Sequence, residues 1–422
     1  MLTRRTMLAA GAALTAVPSL ARPRGKPEVE ARTLHQKLIC LDTHLDTPAN
    51  FARPGFDMMQ RHSAEEFSQV DYPRMVEGGL DGGFFAIYTA QGPLTPDGMM
   101  AARDAALVRA AEIREMVAKN EAHFELALKP QDAAAIAAKG KRIVYQSIEN
   151  SYPLGNDVTL LRSFYALGVR MAGPIHFKDN QFGDSATDVS KTWKGLSPLG
   201  RDWLALCNEL GIIPDASHAS DDVFDQMVAG SKTPIILSHS GCRAVHDHPR
   251  NIDDARLKRL ADTGGVIQIN SLSAYLVTTP SNPDREKAFG ALFARLRNVS
   301  QMTPVDANRT VKEVARAMRA LKSQYPEPRA RFDDYMSHML HALKLVGPEH
   351  VGVGCDWDGG GGVEGMEDCA GNWKITARLL KEGYHVGDLQ KIWSGNVLRV
   401  LQAAKDGRAK AAAPSMPAGG GE

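Results

Sequence analysis

Residues 42–46 read DTHLD and place His44 and Asp46 two positions apart at the end of the apolar run LICLDTHLD. In an extended strand, residues i and i+2 point to the same side, so this imidazole and this carboxylate would converge on one spot. Nitrogen and oxygen donors of this kind are ligands that zinc takes in proteins. The pair therefore indicates either part of a metal site or a chance polar pair in a loop.

Further polar side chains stand at the same point of other apolar runs, namely at the carboxyl end. These side chains are Glu149, His176, His218, His239, Asp356 and Asp358. A single histidine at the end of a strand is more often a hydrogen-bonded core residue than a ligand. Recurrence at equivalent positions of separate strands is hard to reach by chance, and it predicts a metal site.

The elements that must position these side chains are short apolar runs that alternate with helical patterns. Eight such runs are present: LICLDTHLD, GGFFAIYTA, KRIVYQSIEN, GVRMAGPIHF, GIIPDASHAS, TPIILSHSG, GGVIQINSL and HVGVGCDWDGG. Most of them are continuously apolar, as expected for strands that are covered on both faces. The alternation predicts an α/β fold, a closed (β/α)8 barrel of the TIM type, whose active sites lie at the carboxyl ends of the strands.

We predict that the barrel domain covers residues 33–403. A segment of about residues 274–344, between the seventh and eighth strands, has mostly helical patterns and predicts a helical insertion. Residues 404–422 are rich in alanine, proline and glycine, which predicts a disordered tail.

Residues 1–21 have the composition of an export signal. Arg4 and Arg5 precede a stretch rich in alanine and leucine, and Ser19 and Ala21 are small residues that mark a cleavage point before Arg22. The paired arginines followed by TML resemble a twin-arginine signal, which predicts an exported, periplasmic protein. An ordinary secretory signal and a chance basic start are the alternatives. No other segment approaches the ~20 apolar residues of a membrane-spanning helix.

The overall composition excludes several other classes of protein. Lys and Arg together number 50 and Asp and Glu 49, so no strongly basic face for nucleic acid is expected. The five cysteines are scattered without CxxC spacing. This argues against a zinc finger, and the odd number gives no clean set of disulfides.

The chain resembles the renal (membrane) dipeptidases, which are zinc-dependent barrel enzymes of the amidohydrolase group. The resemblance runs from LDTHLDTP to GNVLRVLQ and rests on the order and spacing of THLD, SIEN, GPIHFKDNQFGDS, LSPLGRDWLALCNELGIIPDASHAS, ILSHSGCRAVHDHPRNIDD, VGVGCDWDG and SGNVLRVL. It implies hydrolysis of the peptide bond of a dipeptide by a hydroxide that bridges two zinc ions. The family often dimerises, so a homodimer is also an expectation. Whether a D-residue is accepted at the C-terminal position stays open.

The same resemblance implies a ligand set for the two zinc ions. His44 and Asp46 would bind the more buried ion, and His218 and His239 would bind the second. Glu149 would bridge the two. Two metals ~3.5–4 Å apart can share a hydroxide and polarise the scissile carbonyl, which agrees with this assignment.

Three further residues would act on the substrate. Asp356 would take the proton of the bridging water and return it to the leaving amine. His176 would donate a hydrogen bond to the carbonyl oxygen as it becomes an oxyanion. Arg250 would hold the free carboxylate of the substrate.

Several assignments have rivals. Asp358 competes with Asp356 for the proton-transfer role, although it lies nearer the glycine-rich loop. His246 and His248 are expected to be surface loop residues, and Cys355 to be a packing residue. The stretch IENSYPLG departs from the glycine-rich version that often follows the bridging glutamate, so the resemblance does not determine the details of the substrate pocket.

Two other functions are compatible with the motifs. The first is a barrel metallohydrolase for another amide or ester, such as an acylamino acid or a lactone. Arg250 argues against a lactone, which has no free carboxylate for a cation to hold. The second is a metal-bearing periplasmic binding protein without turnover, and Asp356 argues against it because binding alone needs no proton shuttle.

Overall fold

A computed structural model describes residues 27–63, 66–296, 299, 302–326 and 328–412. The predicted export signal lies outside the described residues. Within them the chain forms ten strands: β1 (Leu41–Leu45), β2 (Gly82–Tyr88), β3 (Phe124–Leu126), β4 (Arg142–Glu149), β5 (Val169–Ala172), β6 (Ile213–Pro214), β7 (Ile236–Cys242), β8 (Asn251–Ile252), β9 (Val266–Ile269) and β10 (Val351–Val353). Eight of these strands coincide with the eight predicted apolar runs, β7 extending one residue beyond its run to Cys242, and β3 and β8 are additional.

All strand pairings among the named strands are parallel, and they form two curved sheets. One sheet has the order β1–β2–β4–β5–β6, with β3 beside β4, and the other has the order β10–β9–β7–β8. Nearly all residues of the barrel strands are buried. Continuous burial on both faces explains why these runs are apolar throughout and do not alternate.

Two isolated bridges join the sheets into one ring. Asp215, directly after β6, pairs with Ile236 at the start of β7. At the other seam Leu45 of β1 pairs with Trp357, which follows β10, and the Asp46 amide donates to the Trp357 carbonyl over 2.9 Å. The eight predicted strands therefore follow one another around a barrel, and the predicted fold class is confirmed.

Helices connect the strands on the outside of the barrel. They are α1 (Pro27–His35), α2 (Tyr72–Gly78), α3 (Pro96–Lys119), α4 (Pro130–Ala137), α5 (Leu160–Leu167), α6 (Pro198–Leu210), α7 (Asp221–Gly230), α8 (Asp254–Asp262), α9 (Ser273–Leu276), α10 (Pro283–Leu296), α11 (Pro304–Gln324), α12 (Phe332–Val346), α13 (Trp373–Lys381), α14 (Val386–Gln390) and α15 (Asn396–Ala412). Four of these helices, α2, α3, α6 and α11, begin at a capping side chain followed by proline. At α6, for example, the Ser197 hydroxyl accepts from the Gly200 amide. No described helix is long and apolar enough to cross a membrane.

Four helices, α9–α12, lie between β9 and β10, so this segment has the helical character that its sequence predicts. α10 and α11 pack on each other through small apolar clusters that are separate from the main core, and Phe67 belongs to both clusters. α12 instead packs on the main core through Tyr335, Met336 and Met339. That this segment is an insertion relative to the family that the sequence resembles stays a prediction.

The C-terminal helix corrects the predicted start of the tail. α15 continues through Ala412, whereas the sequence predicted disorder from residue 404. Alanine and lysine are strong helix formers, and the first half of the helix is anchored by burial. Its residues Val397, Val400, Leu401 and Ala404 share a cluster with the first residues of β1, β6, β7 and β9. α15 thus packs against the amino end of the barrel, and residues 413–422 lie outside the described residues.

Candidate functional site

Glu149, the last residue of β4, lies at the centre of a group of histidines at the carboxyl ends of the strands. Its Oε1 is 3.0 Å from Nε2 of His218, 3.4 Å from Nε2 of His176 and 3.5 Å from Nε2 of His239. Its Oε2 is 3.4 Å from Nε2 of His44. Four imidazoles that belong to different strands or strand ends therefore meet at one carboxylate, as the barrel topology requires.

The geometry fits a metal centre. Nε2 of His218 and Nε2 of His239 lie only 2.9 Å apart, although both point toward the carboxylate of Glu149. Nε2 of His44 is buried and has no hydrogen-bond partner. Three sets of side chains offer ligand atoms close enough to share an ion: His44, Glu149 and His239; Glu149, His176 and His218; and His44, Asp46 and Asp356. Buried nitrogen and oxygen donors of this kind suit zinc.

Electrostatics keeps most of the imidazoles neutral. Burial, together with the positive charge of Arg250 and neighbouring imidazoles, holds the pKa of His218 and of His239 well below the usual range. Burial also lowers the pKa of His44, but the carboxylates of Glu149 and Asp46 outweigh this effect and raise it overall. A neutral imidazole has a free lone pair, which a metal ligand requires.

His176 lies beside the group, with its ring centroid 4.2 Å from that of His218. Burial, assisted by the charges of Arg250 and His44, lowers the pKa of His176 to about 3. The ring is therefore neutral near pH 7 and carries one N–H. A neutral imidazole can donate a hydrogen bond to a substrate oxygen without losing its proton, so the predicted donor role is compatible with this environment.

Asp356 faces the same group from the loop after β10. It is buried and adopts a left-handed backbone conformation with φ of 64°. One carboxylate oxygen accepts a hydrogen bond from Asn270 Nδ2 over 3.1 Å. Burial raises the pKa of Asp356 to about 8, so this carboxyl group can take up and release a proton near neutral pH.

Asp358, the rival candidate, has a different task. Its Oδ2 accepts from the Thr47 hydroxyl over 2.7 Å, and its Oδ1 accepts from the Gln69 amide over 2.5 Å. Both carboxylate oxygens are thus used to hold two loops at the mouth of the barrel. This arrangement favours Asp356 as the proton-transfer group.

Arg250 is a buried cation beside the site, with only 3% of its surface exposed. Its guanidinium donates to the His239 carbonyl over 3.1 Å and more weakly to the Ser240 hydroxyl over 3.4 Å. It lies 5.0 Å from the ring centroid of Tyr275. Its Nε has no hydrogen-bond partner, and no ion pair of the described residues includes its guanidinium. Its positive charge opposes the rise in the pKa of Glu149 that burial causes, but the two side chains make no direct ion pair. A buried cation without a directly contacting carboxylate is costly, so this position is suited to an anionic ligand.

Some neighbours of the site were not predicted. Tyr88 and Asn270 stand at the carboxyl ends of β2 and β9, so the same positional signal could have identified them. The ring of Tyr88 is 4.9 Å from that of His176, and the half-exposed ring of Phe177 is 3.9 Å from it. Tyr275 lies in α9 and not at the end of a strand, so this positional criterion could not have identified it.

Two remaining predictions concern residues near the site. His246 and His248, expected at the surface, are both partly exposed in the loop between β7 and β8. His248 also packs inward: its ring lies 4.9 Å from that of Tyr275, and its Nδ1 accepts from the Arg250 amide. Cys355 is fully buried, and its amide donates to the Asp42 carboxylate, which confirms a packing role.

Comparison with known proteins identifies close structural and sequence similarity to dipeptidases. Residues 28–415 match the membrane dipeptidase family, peptidase family M19. Dipeptidase tcpJ of Claviceps purpurea is 30% identical over 348 residues, which are 80% of this chain and 69% of that protein. The crystal structure of the probable dipeptidase PvdM from Pseudomonas aeruginosa has 29% identity and a TM-score of 0.76, and the alignment covers 90% of this chain and 99% of that one.

A second solved structure shares the fold. It is a metallo peptidase from Rhodobacter sphaeroides liganded with a phosphinate mimic of the dipeptide L-Ala-D-Ala. Its identity to this chain is 23% and its TM-score 0.67, with 87% of this chain and 99% of that chain covered. The barrel architecture is therefore common to the chain and these enzymes.

Proposed function

The chain belongs to the membrane dipeptidase family and is a metal-dependent dipeptidase, and from this premise we propose that it is an exported enzyme with two zinc ions. His44 and Asp46 would hold one ion, His218 and His239 the other, and Glu149 both. The central position of Glu149 and the buried, unpartnered Nε2 of His44 support this assignment. When bound, the ions would supply Lewis acidity and a water of lowered pKa at the scissile bond.

The protein's own groups would move the proton and stabilise the developing charge. Asp356 accepts a proton on its carboxylate and returns it to the leaving amine, and Asn270 holds the carboxylate in place through its amide. His176 donates its N–H to the carbonyl oxygen of the substrate. The burial of both groups supports these roles, because hydrogen bonds to developing charge are stronger away from water.

Arg250 determines which substrates bind, through its contact with a free carboxylate. A buried guanidinium with a free Nε and no carboxylate partner among the described residues would gain most from a free carboxylate next to the scissile bond. A dipeptide places its C-terminal carboxylate there. Because this contact is made to the carboxylate itself, the proposal extends to dipeptides with a C-terminal D-residue.

The test combines metal analysis with substrate variation. We expect two zinc ions per chain by elemental analysis, and hydrolysis of L,L- and L,D-dipeptides with free carboxylates. Arg250→Ala should raise KM for these substrates and leave the slow cleavage of C-terminal amides nearly unchanged. Arg243→Ala is the matched control, since Arg243 is half-buried but paired with Asp221.

The outcomes separate the alternatives. Equal cleavage of free and amidated dipeptides by the unmodified enzyme would favour a general amidohydrolase. Bound zinc without turnover of any amide or ester would favour a binding protein. The export signal and a homodimer stay predictions, the second testable by sedimentation of the purified protein.

A further inference from the structure

Ser238 connects the candidate ligand His239 to a buried carboxylate. The two residues are neighbours in β7, and the Ser238 hydroxyl lies 2.8 Å from Nδ1 of the His239 ring. The same hydroxyl donates to Oδ2 of Asp215, directly after β6, over 2.5 Å. All three side chains are buried. A chain of hydrogen bonds therefore runs from the carboxylate through the hydroxyl to the imidazole.

The other contacts of Asp215 determine which group donates and which accepts in these hydrogen bonds. Its Oδ1 accepts from the Ser217 amide, the Ser217 hydroxyl and the Ser238 amide over 3.0, 2.6 and 3.0 Å. Its Oδ2 accepts from the Ser238 hydroxyl. The hydroxyl hydrogen of each serine is thus directed at the carboxylate. Since a serine has a single hydroxyl hydrogen, Ser238 can only accept from the imidazole.

We propose that Asp215 and Ser238 are positioning residues that fix His239 as the tautomer with its proton on Nδ1. The Nε2 lone pair is then free and directed at the centre of the site, where Nε2 of His218 is 2.9 Å away and Oε1 of Glu149 is 3.5 Å away. A hydrogen bond from the second ring nitrogen also raises the basicity of a ligating imidazole. This inference rests on the proposed metal centre.

The arrangement is specific to one of the two ligands proposed for the second ion. Nδ1 of His218 is buried and has no hydrogen-bond partner among the described residues. Among the described residues, no hydrogen bond at Nδ1 selects the tautomer of His218, whereas Ser238 provides one for His239.

Matched serine variants test the proposal. Ser238→Ala removes the contact with the imidazole but keeps the backbone amide that Asp215 binds. Ser217→Ala removes another buried hydroxyl from the same carboxylate. It also removes the acceptor of the His239 amide at 3.1 Å and a 3.1 Å contact with the Ser238 hydroxyl, but it leaves the contact between Ser238 and the His239 ring in place. Zinc alone is titrated into metal-free protein against a chromophoric chelator. We expect Ser238→Ala to weaken one of the two sites by roughly 10–100-fold, and Ser217→Ala to weaken it by much less.

Asp215→Asn should weaken zinc binding more than Ser238→Ala does, because it reverses the hydrogen bond to the His239 ring. Two backbone amides face Oδ1, so the side-chain oxygen of asparagine must stay there and its NH2 group must face Ser238. The Ser238 hydroxyl would then turn its hydrogen away from residue 215, and Nδ1 of His239 at 2.8 Å is a nearer acceptor than the Ser217 hydroxyl at 3.1 Å. A hydrogen bond to Nδ1 favours the tautomer with a proton on Nε2, which opposes metal binding. We expect this variant to bind zinc more weakly than Ser238→Ala, at an unchanged far-UV circular dichroism spectrum.

A measurement without any variant in the site keeps the idea testable if a substitution prevents folding. In metal-free protein labelled with ¹⁵N-histidine, the His239 resonances should show a protonated Nδ1 and an unprotonated Nε2. A proton on Nε2, or equal zinc affinity of the two serine variants, would overturn the proposal. Absence of zinc binding by the unmodified protein would instead refute the metal centre itself.

Discussion

Gly359 offers a sharp test of how closely the backbone packs against the candidate site. An added Cβ at this position would lie 2.1 Å from Oδ2 of Asp46 and 2.2 Å from Oδ1 of Asp356. Ordinary contacts begin near 3.4 Å, so both carboxylates would have to retreat by about 1.3 Å. Gly359 is not among the residues with positive φ, so alanine itself fits the backbone. The substitution therefore acts on the two carboxylates and not on the turn.

A displacement of this size should be expensive for catalysis but not for folding. A shift of about 1 Å in a reacting group can cost roughly 10²-fold in rate. We expect Gly359→Ala to lower kcat/KM for a dipeptide at least to that extent and to lose part of the zinc held by Asp46. Steady-state kinetics, elemental analysis and far-UV circular dichroism measure the three quantities.

Gly387→Ala is the matched control. Gly387 lies in the helix α14, and an added Cβ there meets nothing within 4 Å. This variant should keep full activity and zinc content. If Gly359→Ala retains kcat/KM within a factor of about two of Gly387→Ala, the carboxylates have no required position, and the proposed geometry of the site fails.

Three further predictions address proton transfer, acid stability and export. Asp356→Asn cannot accept a proton, so kcat should fall by roughly 10²–10⁴ while zinc content is kept; unchanged kcat would remove the proton-transfer role. Burial lowers the pKa of His35 to about 4, so the unfolded chain binds more protons than the folded one below pH 6.5 and stability falls as the pH falls. From pH 8 to pH 5, the free energy of unfolding measured with urea should fall by about 2 kcal/mol more for the unmodified protein than for His35→Gln. Equal decreases in the two proteins would contradict the lowered pKa of His35. Replacement of Arg4 and Arg5 by lysine should leave uncleaved precursor in the cytoplasm, which immunoblotting of cell fractions would detect. Unchanged export would indicate the general secretory route.

The strands and the candidate ligands could be predicted from sequence because both depend on local pattern. A strand that is covered on both faces must be apolar along its whole length, and this leaves eight recognisable runs. Parallel strands in a barrel bring their carboxyl ends together, so polar side chains at those ends must meet. His44, Glu149, His176, His218 and His239 therefore converge as expected.

Contacts between residues far apart in the chain decided the rest. The barrel closes through Leu45 and Trp357, which are brought together only by the complete ring of strands. The choice of Asp356 over Asp358 depends on Thr47 and Gln69, which occupy both oxygens of Asp358. No periodicity in the glycine-rich loop distinguishes these two carboxylates.

Long-range contacts also decide which residues act indirectly, by holding a neighbouring side chain in place. Ser238 and His239 are neighbours in β7 and their side chains touch, but the carboxylate that receives the Ser238 hydroxyl hydrogen belongs to Asp215, 23 positions away in the chain. α15 extends beyond its predicted end because burial of its first half against the barrel anchors the alanine-rich second half. Local sequence thus determined which residues could reach the site, since spacing fixes the side on which each residue lies. Tertiary packing determined which of them are held there and in which state, because partners distant in sequence supply the hydrogen bonds and the burial.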